Sequence, residues 1–141
     1  MVRVMASGVF DILHTGHISY LEQAKAFGDE LYVVVACDET VKKKKHESIT
    51  PQEMRLRIVS SLKPVDAAIL GKNTDNIYEI LDDVRPKIIV LGFDQDFDEK
   101  KLALELREKG YDIEIKRASK SAEDLEATRA IIRKIRERRD L

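Results

Sequence analysis

The sequence predicts an α/β domain built around a mostly parallel sheet, and three observations carry that prediction. Short apolar runs alternate with longer amphipathic ones, several of the runs are apolar throughout, and no Pro/Gly/Ser-rich linker or internal repeat divides the chain. The apolar runs at 2–6, 31–36, 67–70, 88–91 and 113–115 read as strands. Strands without polar alternation are those covered on both faces, as in a parallel sheet. Between them, Ile18, Leu21 and Ala24 set a helical stripe that Gly28 stops. Thr50-Pro51-Gln52-Glu53 reads as a helix start, with Thr50 as N-cap, Pro51 at the first helical position and Glu53 completing a capping box. Ile77, Ile80, Leu81 and Val84 form the next stripe, with Pro86 just past its end. Leu102, Leu104 and Leu106 form another, terminated by Gly110, and 125–139 form a last helix with Ile131, Ile132 and Ile135 on a buried side. Crossovers in such a chain are right-handed, and ligands bind beyond the carboxyl ends of the strands where strand order reverses.

At 141 residues the chain suits one compact domain without disulfide or metal support. A net charge of −1 excludes global attraction to nucleic acid or anionic lipid, so any basic site must be local. Cys37 is the single cysteine, which favours a reducing compartment; it ends an apolar run and reads as a buried structural thiol rather than a nucleophile. Arg3, Ser7 and Asp11 interrupt any signal-like stretch, and no run nears the roughly 18 apolar residues of a membrane span. A cytoplasmic protein is expected.

Directly after the first strand comes Gly8-Val9-Phe10-Asp11-Ile12-Leu13-His14-Thr15-Gly16-His17, running into a helix. A strand, a glycine turn and a helix N-terminus make an anion site, because free backbone N–H groups and the helix dipole favour phosphate. Gly8 and Gly16 let the backbone approach a ligand. His14 and His17, three apart on a first helical turn, can face one bound group, and each can donate to a phosphate oxygen, more strongly when protonated. Against this stand ordinary polar surface and a metal pair; the latter needs a third ligand, yet His46 sits in a polar loop and Cys37 in the sheet.

Gly-x-Phe-Asp-x-x-His-x-Gly-His at a first strand-to-helix turn resembles the signature of the cytidylyltransferase-like nucleotidyltransferase family. Similarity continues through Gly28-Asp29, Asp38-Glu39-Thr40, 50–55, Pro64-Val65-Asp66 and Leu91-Gly92-Phe93-Asp94-Gln95. Within the family, 36–41, Lys63-Pro64-Val65-Asp66 and the Leu91-Gly92-x-Asp94-Gln95 stretch are most similar to archaeal-type FAD synthases, which adenylylate FMN with ATP. The resemblance implies a Rossmann-like three-layer α/β sandwich with a five-stranded parallel sheet, the whole of 1–141 being one nucleotidyltransferase domain. It further implies ATP as co-substrate with a divalent cation such as Mg2+, FMN as acceptor, and a homodimer without nucleic-acid or membrane partners.

Residue roles follow by the same resemblance. The acceptor phosphate attacks the α-phosphorus in line and pyrophosphate leaves, a reaction that depends on positioning and charge neutralisation. His17 donates to the α-phosphate as charge develops, and His14 holds the triphosphate. Gly8, Val9, Phe10 and the turn through Thr15 and Gly16 line the nucleotide pocket. Asp11 orients the motif or helps place the cation; alternatively it is a turn-stabilising acid bonding nearby N–H groups. The 42–45 lysine run, with Lys44 as its catalytic candidate, closes on phosphates or is a solvated face. Arg55 reaches the phosphates or pairs on the surface. Asp94 serves the nucleotide sugar or base, with Phe93 and Phe97 able to stack on a ring. The family's Arg-x-x-Gly-Ile-Ser-Ser-Thr run is not reproduced at 118–124; Arg117, and Thr128 within a displaced remnant at 125–129, are carried over to nucleotide binding. Many relatives have Thr where Val9 stands, leaving only backbone N–H there.

Other readings remain. Cytidylyl transfer from CTP to glycerol 3-phosphate or another polyol phosphate uses the same scaffold, and spacing alone does not separate adenine from cytosine. Pantetheine-phosphate adenylylation is more distant. The basic cluster of Arg129, Arg133, Lys134, Arg136, Arg138 and Arg139 could contact a nucleic-acid backbone, yet the helix's apolar side and dipole account for it better. A catalytically silent nucleotide sensor is the remaining class.

Overall fold

Alternation of apolar and amphipathic segments produces alternating strands and helices. The computed structural model describes residues 1–44, 47–74, 76–96, 98–120 and 128–140. In chain order these form β1 (Arg3–Gly8), α1 (Thr15–Ala26), β2 (Glu30–Val35), α2 (Asp38–Lys44), α3 (Gln52–Ser60), β3 (Ala67–Leu70), α4 (Ile77–Val84), β4 (Ile88–Leu91), α5 (Glu99–Glu108), β5 (Glu114–Arg117) and α6 (Thr128–Glu137). The five strands make one sheet in the order β3-β2-β1-β4-β5. Every pairing is parallel, with Val4 opposite Leu31 on one side and Ile88 on the other.

Side chains alternate across the sheet, and both faces are covered. Val4, Ala6, Leu31, Val33, Val35 and Val90 bury against Leu21 and Ala24 of α1 and Val59 of α3. Met5, Val34, Ile89 and Leu91 bury on the opposite face against Leu81 and Val84 of α4 and Leu102 and Leu106 of α5. Each fully buried aliphatic side chain contributes about 1.5–3 kcal/mol, which is why polar alternation is absent from these strands. The result is the three-layer α/β sandwich that the sequence predicts. Gly28 lets the turn after α1 lie on β1: a Cβ there would sit 2.7 Å from the Val2 carbonyl oxygen.

Several local expectations are corrected. α3 takes Pro51 as N-cap with no side-chain cap bond, because the Thr50 hydroxyl instead donates to Asp11 at 2.6 Å. Leu104 is 56% exposed, since residues two apart cannot share a helix face with Leu102 and Leu106. α6 buries no residue, and Ile135 is 51% exposed, so the buried side expected of Ile131, Ile132 and Ile135 is only half covered. Cys37 lies past the end of β2, half-buried, with Sγ 3.1 Å from Thr40 Oγ1.

Candidate active site

Strand order reverses at β1, which has β2 on one side and β4 on the other. Chain connections leave this point in opposite directions, so the carboxyl edge opens there. A cleft of about 1200 Å³ lies at this edge. It brings together Gly8, Val9, Phe10, Asp11, His14, Gly16 and His17 from the β1–α1 turn, Lys44 from the end of α2, Asp94 after β4, and Thr128 at the start of α6. Thr15, at the first position of α1, is exposed and is not among the residues lining the cleft. Phe97 and 125–127 lie outside the described residues.

The turn is tightly folded. Phe10 and Ile12 adopt left-handed backbone with φ of 58° and 48°, which costs a non-glycine residue about 1–3 kcal/mol. Phe10 compensates by burying its ring beneath the turn, next to His17 and Tyr20. Gly8 clears that ring, since a Cβ would meet it at 3.1 Å. Tyr20 closes the floor by donating to the Val90 carbonyl at 2.6 Å, and its deep burial pushes the hydroxyl pKa up.

A capping box does occur, but at α1, and it is made of histidines. His14 Nδ1 accepts from Gly16 N–H at 3.0 Å, and His17 Nδ1 accepts from His14 N–H at 3.2 Å. The Gly16 amide is therefore already satisfied, and the His17 amide bonds the His14 carbonyl at 3.1 Å. An accepting Nδ1 assigns the ring proton of each histidine to Nε2. The two rings stack with centroids 3.8 Å apart. Burial first, then the neighbouring His14, pull the His17 pKa from 6.5 down to about 4, against a smaller upward pull from Asp11. His17 is thus a neutral donor near pH 7, not the imidazolium considered from the sequence.

Asp11 accepts from Ile49 N–H at 2.7 Å, Thr50 N–H at 2.9 Å and the Thr50 hydroxyl. Burial would raise its pKa, yet these bonds and nearby Arg55 hold the carboxyl below the usual range. Its role is to lock the turn to the loop before α3, through N–H groups almost forty residues away in sequence. Among the described residues no cluster of three or more His, Cys, Asp or Glu could hold a metal ion.

The phosphate-reaching role expected of Arg55 is corrected. Its side chain is fully buried, and the guanidinium donates to the carbonyls of Thr50 at 3.0 Å, Val9 at 2.8 Å and Ala36 at 2.7 Å, and to Asp38 at 2.7 Å. A group so engaged ties three segments together beneath the cleft. Arg117 is corrected likewise: it lies outside the cleft lining and donates to the Gly92 and Gln95 carbonyls at 2.7 and 2.8 Å and to Glu99, shaping the turn that presents Asp94. Gln95 completes that turn, accepting from Gly92 N–H at 2.7 Å and donating to Ser7 at 3.1 Å. The Thr128 hydroxyl donates to the Asp11 carbonyl at 2.7 Å, anchoring α6 at the rim. Within the lysine run, Lys42 pairs with Glu47, Lys43 bonds Asn73, and Lys44 lines the cleft. Ser119 also lines it and escaped the sequence reading, and Arg129, which the sequence placed in the displaced remnant and in the basic cluster, lines it too.

Convergent imidazoles at a parallel-sheet switch point define a nucleotide-handling cleft, and a model of the cytidylyltransferase-like family matches residues 5–136. The chain belongs to that family, and its cleft is a nucleotidyltransferase's. More particularly, it is 52% identical over 141 residues to the FAD synthase of Aciduliprofundum boonei, covering 99% of this chain and 94% of that one. It is 48% identical over 137 residues to the FAD synthase of Thermoplasma acidophilum, covering 97% and 96%. A crystal structure described as the lipopolysaccharide core biosynthesis protein of Thermoplasma volcanium matches with a TM-score of 0.83 at 48% identity, over 86% of this chain and 98% of that one.

Proposed function

We propose that this chain, as a single domain, transfers AMP from ATP to FMN, forming FAD and pyrophosphate. The observation that carries the reading is the pair of stacked histidines, each with Nδ1 engaged in the helix cap, lining a cleft at the switch point. The FAD synthases to which the chain is about half identical over nearly its whole length supply the acceptor and the nucleotide.

In this reaction an oxygen of the FMN phosphate attacks the α-phosphorus, a new P–O–P bridge forms, and the bond to the β-phosphate breaks as pyrophosphate leaves. No protein nucleophile is required. His17 donates through Nε2–H to the α-phosphate oxygen on which charge builds, and His14 does the same further along the triphosphate. Lys44 adds a positive charge at the end of α2. The turn from Gly8 to Gly16 packs on the nucleotide, with Asp94 at the sugar or base and Thr128 fixing the rim. The Asp11 carboxylate, already occupied by Ile49 and Thr50, would not be the group that holds a divalent cation. The cation would offset charge on the polyphosphate.

Cytoplasmic location and a homodimer belong to the same proposal. A single cysteine suits a reducing compartment, and among the described residues no helix is long and apolar enough to cross a membrane. Met54 and Ile58, one turn apart on α3, are 51% and 38% exposed, an apolar stripe that a second copy would cover. The deciding assay incubates the protein with Mg2+ and either ATP plus FMN or CTP plus glycerol 3-phosphate. FAD and pyrophosphate are expected from the first pair; turnover of the second pair alone would overturn the assignment.

A further inference from the structure

In a parallel sheet the residue just past a strand can extend the ladder by one more main-chain bond. The β1–β2, β2–β3 and β4–β5 pairs all do so. Ala36 N–H donates to the Gly8 carbonyl at 2.9 Å, Gly71 N–H to Val35 at 2.7 Å and Ala118 N–H to Leu91 at 2.8 Å. The β1–β4 pair, at the switch point, ends differently. Its register stops at Ala6 opposite Val90, and the next rung would join Gly92 N–H to the Ser7 carbonyl. The Gln95 carboxamide stands between them, accepting from Gly92 N–H at 2.7 Å and donating to Ser7 at 3.1 Å. One rung earlier the Tyr20 hydroxyl enters as well, accepting from Ser7 N–H at 3.1 Å and donating to the Val90 carbonyl at 2.6 Å.

Both groups suit the place chemically. A carboxamide and a hydroxyl each donate and accept, so either can be inserted into an N–H···O bond without leaving a strand group unsatisfied. At Gln95 two bonds in series replace one, so Ser7 and Gly92 are held beyond the roughly 2.9 Å of a direct rung. Neither insert is loose. Gln95 N–H bonds the Gly92 carbonyl at 3.2 Å, and Arg117 of β5 donates to the carbonyls of both Gly92 and Gln95. Tyr20, on α1, stacks on Phe10, whose ring lies against His17. β1 runs into the turn that carries His14 and His17, and β4 into the turn that carries Asp94. Both turns line the cleft, and so do Tyr20 and Gln95.

We propose that Tyr20 and Gln95 are positioning residues, paired spacers that hold β1 and β4 apart at the width a nucleoside triphosphate needs between the histidine turn and the Asp94 turn. The inference rests on the nucleotidyl-transfer reading above and adds residues that act on the nucleotide through the strands they separate. Where a spacer is removed, the strands gain a direct main-chain rung that an entering nucleotide must break. Affinity then falls by about the net value of one such bond; a tenfold loss corresponds to about 1.4 kcal/mol. Once the nucleotide is seated, the strands stand at the same separation as before, so turnover at saturation is little changed.

Tyr20→Phe removes only the hydroxyl and keeps the ring on Phe10, and Gln95→Met keeps side-chain length without donor or acceptor. Tyr111→Phe is the control, losing a hydroxyl bond of 2.7 Å to Asp82 away from the cleft lining. At a temperature where circular dichroism shows all three folded, titration calorimetry measures Kd for α,β-methylene ATP with Mg2+. Steady-state assays of FAD formation give KM for ATP and kcat. In Tyr20→Phe and Gln95→Met, Kd and KM for ATP are expected to rise about tenfold with kcat within about threefold, and Tyr111→Phe is expected to match wild type. Kd within about twofold of wild type in both cleft variants overturns the spacers. An equal rise in Tyr111→Phe overturns them too, because it marks a general effect of lost stability. A wild type that binds the analogue but makes no FAD, with Kd raised in the two cleft variants alone, overturns adenylyl transfer and leaves the spacers standing.

Discussion

At His14 and His17 the Nδ1 of each ring caps the helix, and both residues line the cleft. Replacing His17 by alanine therefore removes two things of different size. Loss of the cap costs about 1 kcal/mol of stability, whereas loss of a charge-stabilising donor slows turnover by about a hundredfold. Thermal melts and steady-state kinetics separate them; turnover within twofold of wild type would remove His17 from the chemistry. The same residue makes stability depend on pH. Its folded pKa is lowered to about 4 from 6.5, so below pH 6.5 the unfolded chain takes up the proton first. Stability is fully present above pH 6.5 and falls as the pH drops from about 6.5 to about 4, by at most on the order of 3 kcal/mol. Urea titrations across this window should show the slope in wild type and a flatter one in His17→Asn.

Between elements, Arg55 is the residue on which most depends. From α3 it reaches the β1–α1 turn at Val9, the β2–α2 connection at Ala36 and Asp38, and the loop at Thr50. Asp11 fastens the same turn to the same loop from the other side. Together they hold the strained backbone at Phe10 and Ile12 in place, and with it the histidines. Arg55→Ala leaves buried carbonyls without donors and Asp38 without its partner, so a loss of about 3–5 kcal/mol is expected. Denaturant unfolding measures it. A loss under 1 kcal/mol, with KM for ATP sharply raised, would instead return Arg55 to direct phosphate contact.

On the scale of the whole molecule, the cleft draws its lining from both sides of the sheet's carboxyl edge, with the histidines of the β1–α1 turn on one side and residues around α4 and α5 on the other. A ligand that binds only the folded protein stabilises it, by about 2.7 kcal/mol at a hundred times its dissociation constant. ATP with Mg2+ should accordingly raise the melting temperature by a few degrees, and FMN should add to that shift because the transfer requires both substrates bound together. If FMN reversed the shift produced by ATP, the two would be competing for one place. Light scattering of the free protein tests the homodimer at the same scale.

Periodicity and spacing alone determine a good deal here. The strands at 67–70 and 88–91 fall where the apolar runs lie, the sheet is parallel, and the Gly8-to-His17 turn sits at the switch point. Such features are local: residues two, three or four apart already encode which face a side chain takes. Only the tertiary structure decides what Arg55, Asp11 and Arg117 do. Arg55 meets Val9 across 46 residues and Asp11 meets Thr50 across 39, and a guanidinium or carboxylate has the same pattern in sequence whether it faces phosphate or a buried carbonyl. The histidine tautomers belong with them, because the ring nitrogen that carries the proton is set by the hydrogen bond the other one accepts.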